Sequence, residues 1–178
     1  IFIGPGSKEL IFQLVYLLEG PLIVPAPSWV SYGPQAKIRS KTFITITTDI
    51  KNGYRLQAEE LDKTCSGLES PQKILILNNP SNPTGSVHTP DELRALAEVC
   101  RKHGVIVISD EIYALTNFGE IPFEGIARYY PKGTITTSGV SKAFSAGGWR
   151  LGFAMIPDEL SEIKRPLSAF VSETFSCV

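Results

Sequence analysis

Apolar residues fall along this chain in two alternating rhythms. Short runs rich in β-branched residues recur at "PLIVP" (21–25), "TFITI" (42–46), "KILILN" (73–78), "VIVIS" (105–109) and "TITTS" (134–138). Most are continuous rather than polar-alternating, which predicts strands covered by helices on both faces. "LGFAMI" (151–156) predicts one further strand. Between them, "SKELIFQLVYLLEG" (7–20) carries apolar residues at helical spacing and predicts a helix stopped at Gly20. "TPDELRALAEVCRKHG" (89–104) predicts a better-marked helix. Thr89 is its N-cap, Pro90 its first residue and Asp91 and Glu92 its acidic first turn, while Arg101, Lys102 and Gly104 close it. Strands alternating with helices predict an α/β fold, a three-layer α/β/α arrangement around a mostly parallel sheet. No internal repeat, low-complexity tract or linker interrupts the pattern.

Composition narrows the picture. The chain has 178 residues, 43% hydrophobic and 20% charged, enough for one domain with a real core. A formal net charge of −1 gives no push toward nucleic acid or an anionic membrane. No apolar run approaches the roughly 20 residues that span a bilayer. Cys65, Cys100 and Cys177 are odd in number and far apart. They argue against a disulfide framework and for a reducing compartment, so a cytoplasmic location is expected. His88 and His103 lie near no cysteine, and no zinc-type cluster is expected. The chain opens on Ile1 rather than Met and stops at Val178, as expected of a piece of a longer protein. A targeting peptide upstream is left open.

Parallel α/β sheets bind ligands beyond the carboxyl ends of their strands, so the residues just after each run carry the interest. After "KILILN" comes "NPSNPTG" (79–85). Its Asn-Pro pairs and Gly make an ordinary turn, or a turn that presents the Asn82 amide in a place fixed by Pro83 and Gly85. If the amide turns sharply inward, a cis Asn82–Pro83 bond is expected. After "VIVIS" comes "DEIYA" (110–114). An acid there costs desolvation unless a cation or donor meets it. Tyr113, three residues on, lies on the same side of a helical turn as Asp110. After "PLIVP", Trp29 in "APSWVSY" is either a packing residue or a stacking surface for a flat ligand. "GPGSKEL" (4–10) puts Gly6 and Ser7 at a helix N-terminus, a plain cap or an anion site. It matches neither the P-loop nor the G-x-G-x-x-G pattern. "SGVSKAFSAGGWRLG" (138–152) sets Lys142 among small residues, with Arg150 eight positions later.

Together these supply an anion cradle, a stacking ring, a carboxylate, a phenol, an amide, a lysine and an arginine. Pyridoxal 5′-phosphate asks for all seven. It has a phosphate, a planar ring, a ring nitrogen, a phenolic oxygen and an aldehyde that condenses with a lysine.

"SDEIY", "NPSNPTG" and above all "GVSKAFSAGGWRLG" resemble motifs of class I/II aminotransferases, in the fold-type I family of pyridoxal-phosphate enzymes. The likeness runs through nearly the whole chain and implies the fold of that family's large domain. It implies that Lys142 carries the internal aldimine and shuttles a proton between the substrate α-carbon and the cofactor. Asp110 would pair with the pyridinium nitrogen, and Tyr113 and Asn82 would hold the phenolic oxygen, favouring its deprotonated form. Trp29 would stack on the ring. Gly6, Ser7 and the Lys8 backbone would bind phosphate with Arg150, helped by Ser138 or Ser141; the position three before the lysine is Gly139.

The same resemblance implies transfer of an amino group from an amino acid to a 2-oxo acid, in a homodimer. A carbon–sulfur lyase or an aminocyclopropane-carboxylate-synthase-like enzyme on the same scaffold is the alternative, and a non-catalytic cofactor-binding fragment is a second. Residues 1–165 would form the cofactor-binding domain and 166–178 begin the connection toward a C-terminal small domain. The family's substrate-gripping arginine is expected beyond Val178, and its closing N-terminal segment and a dimer-lent aromatic before Ile1. The 178 residues alone are expected to turn over poorly, and the donor amino acid stays open.

Overall fold

The computed structural model describes residues 1–174, so Cys177 and the last part of the expected 166–178 connection lie outside the described residues. Seven strands form one sheet: β1 (Phe2–Gly4), β2 (Leu22–Ala26), β3 (Phe43–Thr47), β4 (Lys73–Asn78), β5 (Val105–Asp110), β6 (Thr134–Gly139) and β7 (Gly152–Met155). Their spatial order is β1-β7-β6-β5-β4-β2-β3. Strands β2 to β6 pair in parallel, whereas β7 runs antiparallel to both β6 and β1. All six runs read as strands are strands. The three-residue β1 is too short for its pattern to show, and pairing with β7 holds it in place.

Five helices cover the sheet: α1 (Ser7–Leu17), α2 (Tyr32–Ile38), α3 (Ala58–Ser66), α4 (Pro90–His103) and α5 (Lys164–Thr174). Two hydrophobic layers follow from alternation along the strands. On one face Leu22, Val24, Ile74, Ile76, Ile106, Ile108 and Ile135 pack against Ile11, Leu14 and Val15 of α1, Ala36 of α2 and Leu167 of α5. On the other, Ile23, Leu75, Leu77, Val105 and Val107 pack against Leu61 of α3 and Leu93, Leu96 and Cys100 of α4. The result is the expected three-layer α/β/α stack, with each central strand apolar on both sides. Helix α5 spans the expected boundary at 165/166 and holds Leu167 fully buried in the first layer. No described helix is long and apolar enough to cross a membrane.

Helix α1 ends earlier than its sequence pattern suggests. It stops at Leu17, Leu18 is extended, and Gly20 instead forms a turn at φ 89°. A Cβ at Gly20 would lie 2.0 Å from the Gln72 carbonyl oxygen. Lys41 reaches over from the strand side and donates to the Leu18 and Gly20 carbonyls at 2.6 and 3.1 Å, taking the place of further helical turns.

Helix α4 begins and ends as its residues dictate. Glu92 N–H donates to Thr89 Oγ1 at 3.2 Å, and Thr89 N–H donates to Glu92 Oε2 at 2.8 Å. This reciprocal cap satisfies two donors that the first turn leaves free. Glu92 also accepts from Arg55 Nε at 2.9 Å, tying the helix start to the segment before α3. Thr89→Ala is expected to lower stability by about 1 kcal/mol without changing the fold, read as a shift in denaturant midpoint at constant slope.

Candidate active site

The carboxyl ends of β2, β4, β5 and β6 open on a common edge, where a cavity of about 290 Å³ forms. Its lining brings together Gly6, Ser7, Lys8, Trp29, Asn82, Asp110, Tyr113, Ser141, Lys142 and Arg150. These come from six separate stretches of chain. The parallel strands make the convergence possible, because each delivers its following residues to the same side.

Asp110 ends β5 on the face of Ile106 and Ile108 and is 3% exposed. Its Oδ2 accepts from the Tyr32 hydroxyl at 2.7 Å and its Oδ1 from the Ile112 N–H at 3.3 Å. No cation pairs with it among the described residues. Burial pushes its pKa up to about 6, against the opposing pull of those two donors. Tyr32, itself buried, is held well above the ordinary phenol range by burial and by the neighbouring carboxylate, so it stays a donor. Trp29 meets Tyr32 edge-on, with ring centroids 5.4 Å apart at 86°. Sequence reasoning singled out Trp29 in "PSWVSY" and passed over Tyr32; the signal was a phenol three residues after the tryptophan.

Asn82 and Tyr113 face one another, Asn82 Nδ2 lying 3.5 Å from the Tyr113 hydroxyl. The Asn82–Pro83 bond is cis, as expected, and so are Ala26–Pro27 and Asn79–Pro80. Beneath the turn, His88 is buried and neutral, its pKa lowered to about 4 by burial. His88 Nε2 accepts from the Leu56 N–H at 3.1 Å, and the His88 backbone N–H donates to Asn79 Oδ1 at 3.0 Å. Lys142 is exposed at the cavity rim, with Nζ 5.7 Å from the centroid of the Tyr113 ring.

The anion cradle is built by close approach. Gly6 has φ 98°, and a Cβ there would lie 2.6 Å from Arg150 Nη2. A Cβ on Gly152 would lie 2.4 Å from the Ser7 nitrogen, so only glycine lets β7 carry the turn before α1. Arg150 donates to the Gly147 carbonyl at 2.9 Å and to the Pro5 carbonyl at 3.0 Å, joining segments 145 positions apart. It does so from a left-handed backbone (φ 52°), a conformation sparsely used by side chains other than Gly and typical of functional loops. Ser141 lines the cavity, but Ser138 does not. The Ser138 hydroxyl donates to the Glu111 carbonyl at 3.1 Å, and strand alternation puts it on the sheet face opposite Asp110.

A buried carboxylate with no cation among the described residues, a glycine cradle at a helix N-terminus with an arginine across it, and an exposed lysine on the same cavity suit a pyridoxal phosphate. The donor set matches each polar corner of that molecule.

The comparisons with known proteins agree. Residues 1–176 match the family model for aminotransferase class I and II. This chain belongs to that family. An aspartate aminotransferase from Geobacillus stearothermophilus is 34% identical over 95% of the chain, and a probable aspartate/prephenate aminotransferase from Rickettsia conorii is 38% identical over 86%. The alignments span 44% and 39% of those relatives, so the chain covers less than half their length. The aspartate aminotransferase from Thermus thermophilus with maleate superimposes with a TM-score of 0.86 at 30% identity, covering 97% of this chain and 44% of that one. The family is generally pyridoxal-phosphate-dependent.

In the ligand-free protein, Asp110 binds its proton more tightly folded than unfolded. Its stabilising contribution is full below about 3.8 and is lost as pH rises through about 6, a swing of about 3 kcal/mol. Asp110→Asn is therefore expected to melt above the parent at pH 8, with the gap closing toward pH 4. The opposing trend from His88 is common to both proteins and cancels in the comparison of Tm.

Proposed function

We propose that this chain forms the pyridoxal-phosphate-binding part of an aminotransferase moving an amino group from an amino acid to a 2-oxo acid. The observation that carries the reading is the nearly dry carboxylate of Asp110, unpaired with any cation among the described residues, lining one cavity with the exposed amine of Lys142. When bound, the cofactor supplies an electron-withdrawing ring that stabilises negative charge at the substrate α-carbon. The chain's residues supply the rest. Asp110 accepts from the ring nitrogen and keeps it protonated. Asn82 and Tyr113 donate to the phenolic oxygen, and Trp29 flanks the ring. The N–H groups at Gly6, Ser7 and Lys8 bind phosphate with Ser141 and Arg150. Lys142 would hold the aldehyde end of the cofactor and, once its amine is released by the incoming substrate amine, would take up and return a proton at the substrate α-carbon.

Transamination is favoured over the lyase alternative because the relatives are named as aminotransferases, aspartate foremost. A second cation supports an acidic donor. Lys8 lines the cavity with Nζ 5.7 Å from the Trp29 centroid and enters no ion pair among the described residues. Its backbone serves the cofactor, leaving its ammonium free for the distal carboxylate of a dicarboxylic substrate. A homodimer and a cytoplasmic location complete the reading, with α5 counted in the cofactor-binding domain because Leu167 is buried in its core.

Borohydride reduction of the cofactor-treated chain followed by peptide mapping is expected to label Lys142, and Lys142→Ala to abolish the label; a label elsewhere refutes the assignment. In the loaded enzyme, Lys8→Met is expected to raise KM for aspartate about tenfold, the range for a hydrogen bond to a charged group, while leaving that for alanine near its parent value.

A further inference from the structure

Asn78 is the last residue of β4 and sits directly opposite Asp110 in the parallel β4–β5 pair. Alternation puts it on the face of Ile74 and Ile76, beside Ile106, Ile108 and Asp110, and it lines the cavity. Its side chain makes two bonds at right angles to the roles discussed so far. Oδ1 accepts from the backbone N–H of Asn82 at 2.7 Å, and Nδ2 donates to the backbone carbonyl of Asp110 at 2.9 Å. One planar amide thus ties the start of the Asn82 turn to the end of the strand that carries the carboxylate.

We infer that Asn78 is a positioning residue that fixes the Asn82 amide relative to Asp110, and through Asn82 sets the proton affinity of bound pyridoxal phosphate; the inference rests on the reading proposed above. The physical reason is geometric. Asp110 and Asn82 would serve two fixed positions of one rigid ring, its nitrogen and its phenolic oxygen, so the spacing between them is not adjustable by the ligand. A donor displaced by a few tenths of an ångström or turned out of line loses much of its hydrogen bond. Along the backbone three residues separate Asn82 from β4, and the Asn79 N–H also meets the Asp110 carbonyl at 3.2 Å; the Asn78 amide binds Asn82 itself and that carbonyl directly. An asparagine is the residue type that offers an acceptor and a donor from one flat group at this reach.

The test compares the pyridoxal-phosphate-loaded parent with Asn78→Ala, Asn82→Ala and the double variant. Two quantities are read: the pH midpoint of the bound cofactor's absorbance change and the cofactor dissociation constant. Loss of the Asn82 donor disfavours the deprotonated phenolic oxygen, so Asn78→Ala is expected to move the midpoint upward, in the same sense as Asn82→Ala. Cofactor binding should weaken about fivefold, the equivalent of one hydrogen bond. The double variant should shift no further than Asn82→Ala alone, because the effect passes through Asn82. An unmoved midpoint in Asn78→Ala, or a double shift equal to the sum of the singles, would overturn the inference. Failure of the parent itself to take up the cofactor would overturn the reading beneath it as well, and so is distinguishable. Amide hydrogen exchange at Asn82 in the ligand-free protein gives a readout without cofactor. Exchange should quicken in Asn78→Ala, or in the milder Asn78→Ser if the alanine variant does not fold; an unchanged rate contradicts the inference.

Discussion

A carboxylate held nearly free of water, at the end of a strand buried on both faces, is the constraint around which this site is arranged. Asp110 is 3% exposed, and its side-chain partners among the described residues are one phenol and one backbone N–H. Neither carries the positive charge that would offset the cost of ionising an acid in such a place. The fold meets the geometric part of the demand by running β2, β4, β5 and β6 in parallel, so that their ends deliver Trp29, Asn82, Asp110 and Lys142 to one edge. Under the proposed function, a cationic ring held in the cavity that Asp110 and Lys142 both line would meet the electrostatic part. Stability and function pull in opposite directions at this residue, and two apolar layers around the sheet absorb the difference.

Supporting contacts show the same division of labour. Tyr32 meets Trp29 edge-on on one side and donates a hydrogen bond to Asp110 on the other, which keeps the acid an acceptor. His88 stays neutral because burial outweighs the pull of nearby Glu92, and its ring links the Leu56 segment to the Asn79 turn. Arg150 and the Gly6 turn hold backbone conformations that ordinary residues avoid, at the one place where a phosphate would repay them with several charge-assisted hydrogen bonds.

Much of this was legible in the sequence, for reasons that differ by element. The central strands could be read because burial on both faces demands unbroken apolar runs, and α4 because its capping residues leave little choice of start or end. Trp29, Asn82, Asp110 and Lys142 could be read because each closes or soon follows a strand that the apolar pattern shows. Local patterns do not encode what lies across space. Lys41 decides where α1 ends, from 23 positions away. Pairing with β7 makes a strand of Phe2–Gly4. Ser138 and Ser141 look alike in sequence, and only the fold shows the Ser138 hydroxyl on the Glu111 carbonyl and Ser141 at the cavity. Tyr32 and Asn78 were hidden because a phenol after a tryptophan and an asparagine closing a strand are commonplace; their meaning comes only from Asp110, 78 and 32 positions away.

Direct titration of Asp110 addresses the central claim. With the aspartate carboxyl carbons labelled, NMR reports its protonation in the ligand-free chain and again after loading with pyridoxal phosphate. The ligand-free value should lie near 6, where burial puts it, and should fall well below 4 once a pyridinium faces it. A value that stays near 6 in the loaded protein, or that is already ordinary without the cofactor, would contradict the account.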